Sequence, residues 1–199
     1  MLRPTNELVD EFRRLEARHN SRLVIERAVA VALGPSLIRA FKKGSKAHLI
    51  PVLLAVDLEK LVSCRSRQEY QRFFRNELKK IHKALASVKL NSKKHGKGLK
   101  WGHATKILCI FLRDLVLYSR YFDKPTAEHL ERFLYNPIDG IVIRKLRDLG
   151  ADPGVRKIKE IDTPKKFWDI QDLLDKAAKL ANTIQVRFDD VQVENTIGD

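Results

Sequence analysis

The sequence predicts an all-α chain, on three observations. Apolar residues recur at spacings of three and four through most of the 199 positions. Polar capping residues precede those runs, and Gly or Pro follows them. The strict alternation of a half-buried strand appears nowhere. A chain of this length can bury a core without disulfide staples, and the expectation is one helical domain over residues 1–199. If it divides, one lobe would combine 1–90 with 163–199 and the other would be 91–162.

Each element has its own signal. Thr5 or Asn6 can cap a first helix running to about Ala17, with Leu8, Phe12 and Leu15 on one face. Asn20 or Ser21 can cap a second, apolar almost all round from Leu23 to Leu33 and stopped by Gly34-Pro35, which is expected to be central. Residues 36–43 read as a short helix with a basic end, and 49–61 as an apolar run interrupted by Pro51. Ser66 with Glu69 three positions on starts a long helix whose buried face is Tyr70, Phe73, Phe74, Leu78, Ile81, Leu85 and Val88. Its outer face carries Arg67, Arg72, Arg75, Lys79, Lys80 and Lys83. A tight turn at 102–106 is expected to open the apolar helix that begins at Ile107, and a further helix follows around 126–134. Pro137 forces an extended approach to Asp139, which caps a helix ending near Gly150. Asp152-Pro153-Gly154 makes a turn, and Asp162 or Thr163 before Pro164 starts the last helix, which carries Phe167, Trp168, Ile170, Leu173 and Leu174. The acidic tail from Asp189 onward is expected to pack loosely.

Charge points to the partner. Lys and Arg number 39 against 25 Asp and Glu, a net charge of +14, and such an excess favours a polyanion. The start of the chain is polar rather than a signal peptide, and no apolar run approaches the length of a membrane span, so a cytoplasmic protein without a membrane partner is expected. Cys64 and Cys109 form no CxxC, and the histidines lack metal-ligand spacing, so neither a disulfide framework nor a metal is expected. Residues 91–100 are basic, contain Gly96 and Gly98 and lack a core pattern. They read either as a solvated linker or as a phosphate-contacting loop, in which Lys93, Lys94, Lys97 and Lys100 neutralise a nucleic-acid backbone.

The chemistry is expected between Trp101 and Gly150. A Lys is a poor nucleophile in water, but desolvation, a helix N-terminus and neighbouring cations lower its pKa, and Lys106 is placed to meet these conditions. Asp139, at a helix start, is kept ionised and can stabilise positive charge. Gly102-His103-Ala104-Thr105-Lys106, followed by Asn136-Pro137-Ile138-Asp139, resembles the helix-hairpin-helix DNA glycosylases, of the 8-oxoguanine DNA glycosylase/AP lyase type. The spacing of 33 between Lys106 and Asp139 (139 − 106) is closest to the archaeal branch. Trp101 stands where that family has Pro, and Ala104 where it has a second Gly.

The resemblance implies a helix-hairpin-helix element and double-stranded DNA with a modified base as the partner. It further implies Lys106 as a Schiff-base nucleophile, Asp139 as its assistant, and backbone contacts to DNA at Gly102, His103 and Ala104. No cofactor and no iron–sulfur cluster are expected, since only two cysteines exist. A flipped base needs a pocket, for which Trp101, Phe167 and Trp168 are candidates against the alternative of ordinary core packing. A monomer is expected. The competing reading is a non-catalytic helical DNA- or RNA-binding module, one possible setting being phage defence.

Overall fold

The structure is a computed structural model that describes residues 6–86, 88 and 99–188. It is all-α, with no β-strand among the described residues. The basic loop with Lys93, Lys94 and Lys97, and the acidic tail, lie outside the described residues.

The first two expected helices are one, α1 (Asn6–Ala32). Nothing between Ala17 and Leu23 is Gly or Pro, and a polar residue in a helix interior costs only a few tenths of a kcal/mol, so Asn20 and Ser21 do not stop it. Nor is its C-terminal half central: Ala28, Val29 and Ala32 are buried, whereas Leu23 and Val31 are 49% and 44% exposed. Gly34 N-caps α2 (Pro35–Ile38), shorter than the expected 36–43. The apolar run that follows divides into α3 (Lys46–Leu54) and α4 (Leu58–Ser63). Pro51 lies inside α3, and the break comes later, where the Asp57 carboxylate accepts the Lys60 N–H at 2.9 Å and starts α4. The cap, more than the proline, sets the boundary.

α5 (Arg67–Ala86) begins as the sequence indicates. Ser66 Oγ accepts the Glu69 N–H, and Glu69 reaches back to the Arg65 N–H at 2.6 Å. Its expected apolar face is buried, and Glu77 is buried among it. α6 (Leu99–Arg113) packs on α5 and α1 and passes into a π-helical turn, Asp114–Tyr118. α7 (Lys124–Glu131) is capped by Asp123. An extended segment, residues 134–139, then leads to α8 (Gly140–Asp148). α8 closes in a Schellman motif: Gly150 has φ +80°, Ala151 N–H donates to the Leu146 carbonyl and Gly150 N–H to that of Arg147. A 3₁₀ turn, Ile158–Glu160, precedes α9 (Pro164–Leu180), capped by Thr163. One cluster of buried apolar residues runs from Ala28 to Phe188.

Candidate functional site

Asp139 is the N-cap of α8, with extended backbone as an N-cap requires. Its Oδ1 accepts the N–H groups of Ile141 at 2.9 Å and Val142 at 3.1 Å. Its Oδ2 accepts from Lys106 Nζ at 3.2 Å. The two side chains, 33 residues apart, form an ion pair whose Lys and Asp sides are 17% and 31% exposed. The fold brings the two groups together, and one carboxylate serves both the helix cap and the amine.

A buried amide network fixes the segment that carries Asp139. Asn136 N–H donates to Gln171 Oε1 at 3.2 Å, and Gln171 Nε2 returns a bond to the Asn136 carbonyl at 2.8 Å. Asn136 Nδ2 donates to the Gln185 carbonyl, and Gln185 Nε2 donates to the Gln171 carbonyl at 3.0 Å. Arg67 Nη2 donates to Gln185 Oε1 at 2.7 Å, and its guanidinium lies over the Tyr135 ring. Each bond in such a network contributes only about 1 kcal/mol net, but an unmade one in the interior costs up to about 3 kcal/mol. The segment is thereby held to α9 in one register, and Asp139 with it. The sequence reading missed these residues, since Gln171 and Gln185 carry no local signal of burial.

The lysine side differs from expectation. Residues 102–106 form no hairpin: they are the first turns of α6, and Lys106 sits in the middle of that fifteen-residue helix. Its amine therefore faces the positive end of α8 and not that of its own helix. Gly102, His103 and Ala104, expected to contact phosphates, are buried. The Gly102 N–H donates to the Ile161 carbonyl at 3.0 Å, and a Cβ on Gly102 would collide with the Ile158 carbonyl oxygen. Gly102 is a glycine because α6 docks closely on the 158–161 turn, and it has no positive φ. His103 meets the Phe41 ring edge-on. Lys100 is in the first turn of α6.

Of the candidate pocket aromatics, Phe167 is fully buried and stacks on Phe74, so it is a core residue. Trp101 and Trp168 both line a groove of about 640 Å³ between α5, the start of α6 and α9. Trp101 stacks on His82 with centroids 4.0 Å apart, and the Arg75 guanidinium lies over the Trp168 ring at 5.0 Å. Lys106 and Asp139 do not line this groove. His82, Arg75 and Lys79 were legible only as part of a charged helix face, because their pairing with the two tryptophans depends on how α5, α6 and α9 pack.

Two further ionisable groups are buried elsewhere in the fold. Asp114, at the start of the π-helical turn, is 6% exposed, and its Oδ2 has no hydrogen-bond partner. Burial pushes its carboxyl above the ordinary value, with Arg27 and Arg113 pulling it down. Burial likewise pushes the Tyr135 phenol up to about 12. Among the described residues no group of His, Cys, Asp or Glu could hold a metal ion, and no helix is long and apolar enough to cross a membrane. The chain matches no protein-family model, no curated protein and no solved structure.

Proposed function

We propose that this chain is a DNA glycosylase with coupled AP lyase activity, acting on duplex DNA that carries an oxidised or otherwise modified base. The observation that carries the reading is the Lys106–Asp139 pair: an amine and a carboxylate, partly exposed, 3.2 Å apart and held from two different helices. The charge excess of +14 suits a polyanionic substrate.

In this reading the target nucleotide leaves the stack and its sugar C1′ comes to Lys106. The ammonium gives up a proton, passed by way of Asp139 to the departing base. The C1′–base bond breaks with its electron pair going to the base, and the neutral amine forms the new C1′–Nζ bond. Asp139, anchored through Oδ1 by two backbone N–H groups, takes that proton on Oδ2 and is an anion again once it has handed it to the base, and in that form it stabilises the positive charge developing on the sugar. Sugar ring opening then gives the Schiff base from which β-elimination cleaves the strand.

The test is borohydride trapping on oligonucleotides with single modified bases. The wild type is expected to give a covalent adduct with one lesion class, lost in Lys106→Gln and strongly reduced in Asp139→Asn. An undiminished adduct in Lys106→Gln, or neither adduct nor base release with any lesion, overturns the reading. A second reading, a non-catalytic nucleic-acid-binding module, is favoured by one observation: both oxygens of Asp139 are engaged in bonds that a purely structural N-cap and ion pair would make.

A further inference from the structure

We infer that the groove between Trp101 and Trp168 is a binding track for single-stranded nucleic acid, separate from the Lys106–Asp139 pair. The inference goes beyond the glycosylase reading and does not rest on it.

Three features meet at this groove. The first is a line of cations. Arg72, Arg75, Lys79 and Lys83 are all exposed on α5. At 100° per residue they fall within one narrow stripe of the helix, about 16 Å long at 1.5 Å per residue. Arg75 and Lys79 line the groove itself. The stripe is long enough to follow a strand past more than one phosphate.

The second feature is the aromatic pair. Both tryptophans lie at the groove and both are only partly buried. His82 backs Trp101 through a near-parallel stack at 4.0 Å, and Phe74, Tyr135 and Phe167 meet Trp168 edge-on. The rings are thus oriented before a ligand arrives, which lowers the entropy cost of stacking on them. Aromatic platforms beside a cationic stripe are the means by which unpaired strands are held, because the faces of the bases are accessible only out of the duplex.

The third feature is the electrostatic balance. Asp172 is the carboxylate lining the groove, against Arg75, Lys79 and Lys165, and Lys165 is already paired with Asp169. The remaining excess is positive and sits on the α5 side, so the phosphates run along α5 and the bases turn toward α6 and α9. The ligand chemistry that DNA and RNA share here is an unpaired nucleotide strand, and the titration below decides between deoxyribose and ribose.

The chain has only two tryptophans, Trp101 and Trp168, so its tryptophan fluorescence, excited selectively over that of its tyrosines, reports on this groove alone. The experiment titrates the full chain with a dT decamer, an rU decamer and a decamer of abasic residues, at several salt concentrations. The expected result is quenching by the dT or rU strand, the tighter of the two naming the natural source, with several-fold weaker binding and little quenching by the abasic strand. Lys79→Gln/Lys83→Gln, exposed positions that leave the core intact, should flatten the plot of log affinity against log salt by about 1.4, two contacts at about 0.7 each. The proposal is overturned if neither decamer quenches, if the abasic strand binds and quenches as well as dT, or if the double variant leaves the salt slope unchanged. Lys106→Gln should keep full quenching. Quenching without trapping would leave this track standing and remove the glycosylase; trapping without quenching would do the reverse.

Discussion

The segments around Lys106 and Asp139 read alike in the sequence, each as the mouth of a helix, and they fold differently. Asp139 is an N-cap whose carboxylate bonds the N–H groups of Ile141 and Val142. Lys106 lies mid-helix, with the expected turn absorbed into α6. The Asp signal is self-contained, since the capping bond is made within three residues and needs nothing from the rest of the chain. The glycine signal is not. Gly102 answers to the Ile158 carbonyl, 56 positions on (158 − 102), and a glycine chosen for close packing looks the same in sequence as one chosen for a turn.

The largest way to break this contrast is Gly102→Ala. In an isolated helix Ala is favoured over Gly by up to about 1 kcal/mol. Here the added methyl meets backbone, and overpacking of that kind costs about 1–3 kcal/mol. Because that backbone carbonyl cannot swing aside as a side chain would, the upper part of the range applies, and chemical denaturation should show a net loss of about 1–2 kcal/mol. A variant as stable as the wild type or more so would mean that α6 does not dock as described.

Next come two variants of Asp139. Asn keeps the capping acceptor, so Asp139→Asn should lose well under 1 kcal/mol, whereas Asp139→Ala loses the cap as well and should cost about 1 kcal/mol more. Equal stabilities would show that the cap contributes nothing and that the pair with Lys106 is the whole of the residue's role.

The smallest effect is at the far end of α6. The raised carboxyl of Asp114 means that the folded chain holds this proton more tightly than the unfolded chain does. Its contribution to stability is complete below the ordinary Asp value of about 3.9, and it is lost as pH rises through the raised value. Asp114→Asn, which cannot ionise, should be slightly more stable than the wild type at pH 7, with the advantage fading as the pH is lowered toward 4. An advantage that is the same at both pH values would show that the charge carries no penalty.

What could be read from the sequence follows the same division between local and distant causes. The starts of α5, α8 and α9 were legible because Ser66, Asp139 and Thr163 each make their bonds within three residues. The apolar face of α5 was legible from its spacing. Asn20 and Ser21 misled because a good capping residue is also a tolerable interior one, and only the absence of a stop signal before them decides. Pro51 misled for a related reason: it removes one hydrogen bond and leaves the turn after it free to form. At the site, Asp139 was legible as a cap, and the resemblance set it and Lys106 to one reaction; their direct ion pair is what the structure adds. The amide network of Asn136, Gln171 and Gln185 was not, nor was the approach of His82 to Trp101, since each joins parts of the chain that only tertiary packing brings together.

The π-helical turn at Asp114–Tyr118 bears on where the chain leaves α6. There the Ser119 N–H reaches back five residues to the Asp114 carbonyl, where a regular helix would reach back four. The wide turn takes up one residue more than a regular turn of the same helix, and it falls where α6 ends, so the chain enters the 119–123 connection one residue later than a regular turn would allow.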